Sequence, residues 1–98
     1  MEAVQPVTEG GVSQDCELVV YTGAACHLCE VAKEKLERLA PELGLTVRYV
    51  TIDGDPELER AYRLQIPVGF LAGRKIFKYR VDEARLRRAA ERAHVPSR

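Results

Sequence analysis

Apolar and polar positions along the chain change period several times, and each change marks an element. Residues 17–22 are a short β-branched and aromatic run, long enough for a buried strand. From there the apolar positions are Leu28, Ala32, Leu36, Leu39 and Leu43. Their steps of three and four place them on one helical face, with Lys33, Glu34, Glu37 and Arg38 mostly opposite. Pro41 is expected to bend or end this helix, and Gly44 is a stop signal. Residues 45–52 alternate as a second strand, with Leu45, Val47 and Tyr49 on one side. Asp55 fits a helix N-cap with Pro56 at the first helical position, and Leu58, Ala61 and Tyr62 mark a short second helix. Residues 66–71 form a third strand entered through Pro67, 72–75 a glycine-containing turn, and 76–81 a fourth, alternating strand. Asp82 caps a last helix whose inner face is Leu86, Ala89, Ala90 and Ala93, and Pro96 ends it.

The predicted order is β-α-β-α-β-β-α. A βαβ crossover makes the first two strands parallel, and the hairpin adds two more. The expected fold class is α/β, a four-stranded mixed sheet with helices on both faces. Residues 1–15 hold Pro6, Gly10, Gly11 and Ser13 without apolar periodicity and read as a flexible N-terminal arm. The domain is expected over 16–98.

Composition narrows the function. A chain of 98 residues makes one small domain with no room for a separate substrate domain. Fifteen Lys and Arg balance fifteen Asp and Glu, so no strong field for nucleic acid or a membrane surface is implied. No apolar run approaches the roughly 18 residues of a membrane span, and the first residues lack the basic-then-apolar pattern of a secretory signal. The expected location is cytoplasmic. Three cysteines are too few for a secreted disulfide framework, and a close pair in a reducing compartment is more often catalytic or metal-binding.

That pair is Cys26 and Cys29, at the junction of the first strand and first helix. Thiol–disulfide exchange needs a nucleophilic thiolate and a second thiol that resolves the mixed disulfide. At the helix start, free N–H groups and the helix dipole favour negative charge on Cys26, which lowers a thiol below its free value of about 8.5. Cys29, one turn on, is expected to be more buried and to resolve. Gly23, Ala24 and Ala25 leave the Cys26 sulfur accessible. His27 between the cysteines would help hold a thiolate if cationic, or is an exposed spacer. A tetrahedral metal site would need two further ligands from Cys16, His27 and His94. Cys16 reads as a buried or peripheral thiol without a role, or alternatively as one half of an intermolecular disulfide. Asp53 and Asp55 read as turn and cap residues, and Arg85, Arg87, Arg88 and Arg92 as a solvated helix face. Tyr21, Tyr49, Tyr62 and Tyr79 read as core-edge residues, with Tyr62 alternatively a lining of the active-site groove, and Arg74 or Arg80 is a candidate partner for a carboxylate.

Three motifs occur in order: Cys26-His27-Leu28-Cys29-Glu30, Ile52-Asp53-Gly54-Asp55-Pro56-Glu57-Leu58 and Ile66-Pro67-Val68. With them the chain resembles glutaredoxins of the thioredoxin superfamily, and more closely the small bacterial glutaredoxin-like proteins with C-H-L-C. The resemblance spans about residues 17–93. It implies a thioredoxin fold, Cys26 as nucleophile, Cys29 as resolving thiol and a cis Ile66–Pro67 bond beside them. The backbone N–H and C=O of Ile66 would then meet an extended substrate as an added strand does. Typical glutaredoxins carry C-P-Y-C, a preceding Lys and a later Gly-Gly-x-Asp that helps hold glutathione; Gly23-Ala24-Ala25 and Arg80-Val81-Asp82 stand in those places here. No bound cofactor is expected, and glutathione or a thioredoxin-reductase-type system is the candidate reductant. The expected function is a thiol–disulfide oxidoreductase acting on protein or small-molecule disulfides, with no nucleic-acid or membrane partner. Two alternatives stay open: a non-enzymatic thioredoxin-like binding module, and a metal or iron–sulfur carrier using the CxxC.

Overall fold

Strand β1 (Glu17–Thr22) is an inner strand of a four-stranded sheet of order β2-β1-β3-β4. The computed structural model describes residues 16–94. After β1 come α1 (His27–Leu43), β2 (Thr46–Thr51), α2 (Pro56–Tyr62), β3 (Val68–Leu71), β4 (Arg74–Lys78) and α3 (Glu83–His94). β1 pairs with β2 in parallel and with β3 antiparallel, and β3 pairs antiparallel with β4. The expected mixed α/β sheet and element order are those observed. The arm expected over 1–15 and the helix stop at Pro96 lie outside the described residues.

β1 alternates in burial residue by residue. Leu18 and Val20 join Ala32, Leu36 and Leu39 of α1 and Leu86, Ala89 and Ala90 of α3 in one core. Val19 and Tyr21 therefore point to the other face, the side of α2. Leu18, Leu36 and Leu86 are fully enclosed. Burying each such side chain contributes about 1.5–3 kcal/mol. The exposed Arg87, whose guanidinium reaches both Glu83 and Glu42 at 3.0 Å, joins α3 to α1, but solvent screens exposed pairs of this kind and they add little to stability. Apolar packing, not ion pairing, seats the two helices on the sheet.

Three local expectations need correction. Pro41 does not end α1; it lies within it, and the helix runs on to Leu43. Gly44, left-handed at φ 70°, makes the stop: its N–H reaches the Pro41 carbonyl at 3.3 Å and the Leu45 N–H reaches Ala40 at 2.9 Å. Those two bonds satisfy carbonyls that the helix end would leave orphaned. Leu28 is not part of the buried stripe but is 36% exposed, whereas its neighbour Cys29 is 3% exposed, so the buried face of α1 starts at Cys29 and Ala32. β4 is shorter and earlier than the alternation suggested. Gly69 pairs with Phe77 and Phe70 with Lys75, so Ile76 is an extra residue and both Ile76 and Phe77 are buried. This bulge breaks the period of two. The chain then turns at Tyr79 (φ 71°), whose N–H donates to the Pro67 carbonyl at 2.8 Å.

Candidate active site

The site is built where β1 hands over to α1. Ile52 N–H donates to the Thr22 carbonyl at 2.8 Å, which carries the parallel pairing one step past β2 and sets residue 53 beside the loop. That loop, Gly23-Ala24-Ala25, has side chains too small to pack on one another. A Cβ on Gly23 would lie 2.9 Å from Ile66 Cδ1, so glycine lets the Ile66 side chain close against the loop. Ala25 is left-handed at φ 53°, a conformation that costs a non-glycine residue about 1–2 kcal/mol. The Asp53 carboxylate accepts the Ala24 N–H at 2.7 Å across 29 residues of sequence.

Cys26 follows and is the N-cap of α1, in extended backbone (φ −118°, ψ 100°). Its sulfur accepts the Cys29 N–H at 3.1 Å, filling the place a serine or aspartate oxygen takes at most helix starts. Cys26 and Cys29 are joined as a disulfide. Cys26 is partly exposed, whereas Cys29 is 3% exposed. The two sulfurs thus differ in access in the sense expected of an attacking and a resolving thiol.

His27 is exposed at the start of α1 and opens onto a groove of about 320 Å³ lined also by Leu28, Val31, Lys35, Tyr79 and Arg80. Leu28, Val31 and Tyr79 are 36, 42 and 43% exposed, three of the four large apolar side chains open to solvent among the described residues. Val31 and Lys35 were not singled out in the sequence. Their one signal was an apolar residue, Val31, lying off the Ala32–Leu36–Leu39 stripe. Tyr79 reached the groove only through the turn that ends β4.

The other expected binding residues are placed unevenly. The Ile66–Pro67 bond is cis, at the end of the sheet where β1 finishes and β3 starts, since Val68 pairs with Tyr21. The Pro67 ring is fully buried and presents no face to solvent. The expectation that both Ile66 backbone groups face a substrate is corrected at the N–H, which donates to the Tyr62 carbonyl at 3.1 Å. That bond closes the end of α2. Tyr62 stands apart from His27. Its ring stacks on Tyr21 at 4.6 Å and meets Phe70 edge-on at 5.8 Å, on the sheet face that α1 does not cover.

Nor do the candidate extra metal ligands gather at the pair. Cys16, 8% exposed, precedes β1, and its sulfur is 3.7 Å from His94 Nδ1. His94 Nε2 is 2.9 Å from the Leu43 carbonyl, which can only accept. In the neutral ring Nε2 therefore carries the proton, and Nδ1 accepts from the Cys16 thiol. Among the described residues, no group of three or more His, Cys, Asp or Glu is placed to hold a metal ion. Asp55 caps α2 through the Glu57 and Leu58 N–H groups at 3.1 and 3.2 Å, as read from the sequence. No helix of the described residues is long and apolar enough to cross a membrane.

Known proteins are similar to this chain over most of its length. The uncharacterized protein Rv0508 of Mycobacterium tuberculosis is 33% identical over 76 residues, covering 72% of this chain and 78% of its own, and Mb0520 of Mycobacterium bovis matches to the same extent. Among solved structures, protein Ne2328 of Nitrosomonas europaea superposes with a TM-score of 0.66 at 28% identity, over 81% of this chain and 94% of its own. Protein XcR50 of X. campestris superposes with a TM-score of 0.62 at 35% identity, over 81% and 99%. Residues 17–91, from the start of β1 into α3 and with the Cys26–Cys29 pair between them, match the model of the Glutaredoxin-like domain (DUF836), and the chain belongs to that family.

Proposed function

We propose that this protein is a dithiol oxidoreductase in which Cys26 attacks and Cys29 resolves. The observation that carries this reading is the Cys26 sulfur at the helix N-cap, 3.1 Å from the Cys29 N–H, with Cys29 itself shielded. A thiolate at Cys26 would keep that donor and gain the positive end of the helix. In the reduced protein the Cys26 thiolate attacks one sulfur of a substrate disulfide. The substrate S–S bond breaks, and the departing sulfur leaves as a thiolate that takes up a proton. Cys29 then loses its proton and attacks the Cys26 sulfur. This releases the second substrate thiol and forms the Cys26–Cys29 disulfide. Two electrons and two protons pass to the substrate, and a dithiol reductant must return them.

The groove beside His27 supports a peptide-like substrate with an apolar side chain and a carboxylate. Leu28, Val31 and Tyr79 offer the apolar wall, and Lys35 and Arg80 flank it without an ion pair to any other described residue. A protein segment and glutathione both meet that description, and either serves as partner in this reading.

The test is a redox titration in glutathione buffers, read by intact mass after alkylation. A reversible two-electron Cys26–Cys29 disulfide with a potential between roughly −180 and −270 mV is expected. A glutathione adduct on Cys26 would identify the reductant. Failure of both species to form across the range overturns the proposal.

A further inference from the structure

We infer that Asp53 is a positioning residue for Cys26, through one hydrogen bond to the loop in front of it. The inference rests on the reading of Cys26 as the reacting thiol, and assigns a residue that touches no substrate.

The loop Gly23-Ala24-Ala25 cannot hold its own shape. Ala24 and Ala25 are exposed, neither has a side chain that reaches a partner, and Ala25 keeps a left-handed backbone at φ 53°. What holds it comes from the far end of β2. Asp53 Oδ2 accepts the Ala24 N–H at 2.7 Å, the shortest hydrogen bond at the site to a backbone N–H. Oδ2 also accepts the Thr51 hydroxyl at 3.3 Å, and the Thr51 oxygen in turn accepts the Asp53 N–H at 3.2 Å. The carboxylate is thus aimed by its own strand before it binds the loop. Bonds to a charged acceptor are stronger than neutral ones. Among the described residues, no other side chain bonds a backbone group of residues 23–25.

Two residues downstream of that bond, Cys26 must present its sulfur to the Cys29 N–H. With the Ala24 N–H released, Ala25 is free to leave the left-handed region, and the sulfur moves off the helix start. The neighbouring Asp55 does a separate job, capping α2, so the two aspartates of this turn are not interchangeable. The part played by Asp53 needs an acceptor in the right place rather than a charge, and Asn supplies one.

The experiment measures the Cys26 thiol by the pH dependence of its alkylation in a Cys29→Ser background, which keeps the residue 29 N–H. Asp53→Ala is expected to raise the Cys26 pKa by about one unit and slow alkylation at neutral pH by up to about tenfold, the size set by one lost hydrogen bond to a charged group. Asp53→Asn is expected to stay within about a factor of two of the parent. An unchanged pKa in Asp53→Ala overturns the inference, even if thermal stability falls, and so does an Asp53→Asn protein as impaired as Asp53→Ala. Should Asp53→Ala not fold, Thr51→Val decides: a smaller rise of the same sign supports the inference, and no rise overturns it. Reversible disulfide formation is read separately on the wild-type protein, so its failure overturns the proposed function, whereas equal Cys26 pKa values in parent and variant overturn the role of Asp53.

Discussion

The Cys29 N–H donates to the Cys26 sulfur at 3.1 Å, so the residue that caps the helix is also half of the disulfide. The contact uses backbone on one side, so no change of the residue 29 side chain removes it. It leaves the Cys29 sulfur free to act while its own N–H steadies Cys26. The local structure and the chemistry therefore share one short segment, and the substitutions that separate them are specific.

Cys29→Ser is expected to accumulate a mixed disulfide on Cys26 when mixed with a disulfide substrate, because attack proceeds and resolution cannot. Cys26→Ser is expected to accumulate none, since the sulfur left to it is 3% exposed. Intact mass spectrometry under acid quench distinguishes the two. Accumulation on Cys29 alone would reverse the roles.

Charge reversal at Lys35 and Arg80 is expected to weaken acidic substrates selectively. Two exposed ion pairs are worth about 0.2–1 kcal/mol each, about 0.4–2 kcal/mol together, which amounts to a rise in KM of roughly twofold to thirtyfold with kcat little changed. Peptide disulfides of matched length with acidic or basic flanks report the effect, and added salt is expected to shrink it in the wild type. Equal KM values for both peptides in the wild type would remove the groove from recognition.

Gly69→Ala is expected to destabilise the fold by about 1–3 kcal/mol, the usual cost of overpacking. A Cβ there would lie 2.5 Å from Phe77 Cε2 and Cζ. The bulge at Ile76 fixes where that ring sits, so the ring cannot simply slide away. Urea unfolding with an unchanged m-value and a lower midpoint is the expected result, and a midpoint equal to wild type would show that the ring has room to move.

Burial, and then the Glu37 carboxylate nearby, push the Tyr49 phenol above its ordinary range. The unfolded chain therefore loses this proton first as pH rises, beginning near the ordinary phenol value of about 10. Between that value and the higher folded one the native state binds more protons than the unfolded state, so stability falls with rising pH. Below the unfolded value the contribution is fully present. Tyr49→Phe is expected to flatten this part of the stability curve above about pH 10. A slope equal to wild type would assign the alkaline loss to other groups.

Much of this protein was legible because its signals are local. The period of β1, the stripe of Ala32, Leu36 and Leu39, the Asp55–Pro56 helix start and the Gly44 stop each depend on residues within a turn or two of one another. The cysteine spacing is equally local: an N-cap and a residue one turn on meet in any helix that starts there. Family motifs added the cis bond at Pro67.

What the sequence alone did not determine depends on contacts across the sheet. Asp53 looked like a turn residue because its partner, the Ala24 N–H, is 29 residues away and is delivered by the β1–β2 register. Tyr62 read as a core-edge ring or a groove lining, and only the packing shows that its ring stacks on Tyr21. The end of β4 was misread because a bulge shifts the alternation by one, and nothing in residues 76–81 marks which one is extra. Ile66 lost its free N–H to the close of α2. Local chemistry determined the elements and the pair of thiols; only the tertiary structure decided which neighbours hold the loop, which face each aromatic ring takes and where the groove opens, because those follow from strand register and packing between residues far apart in the chain.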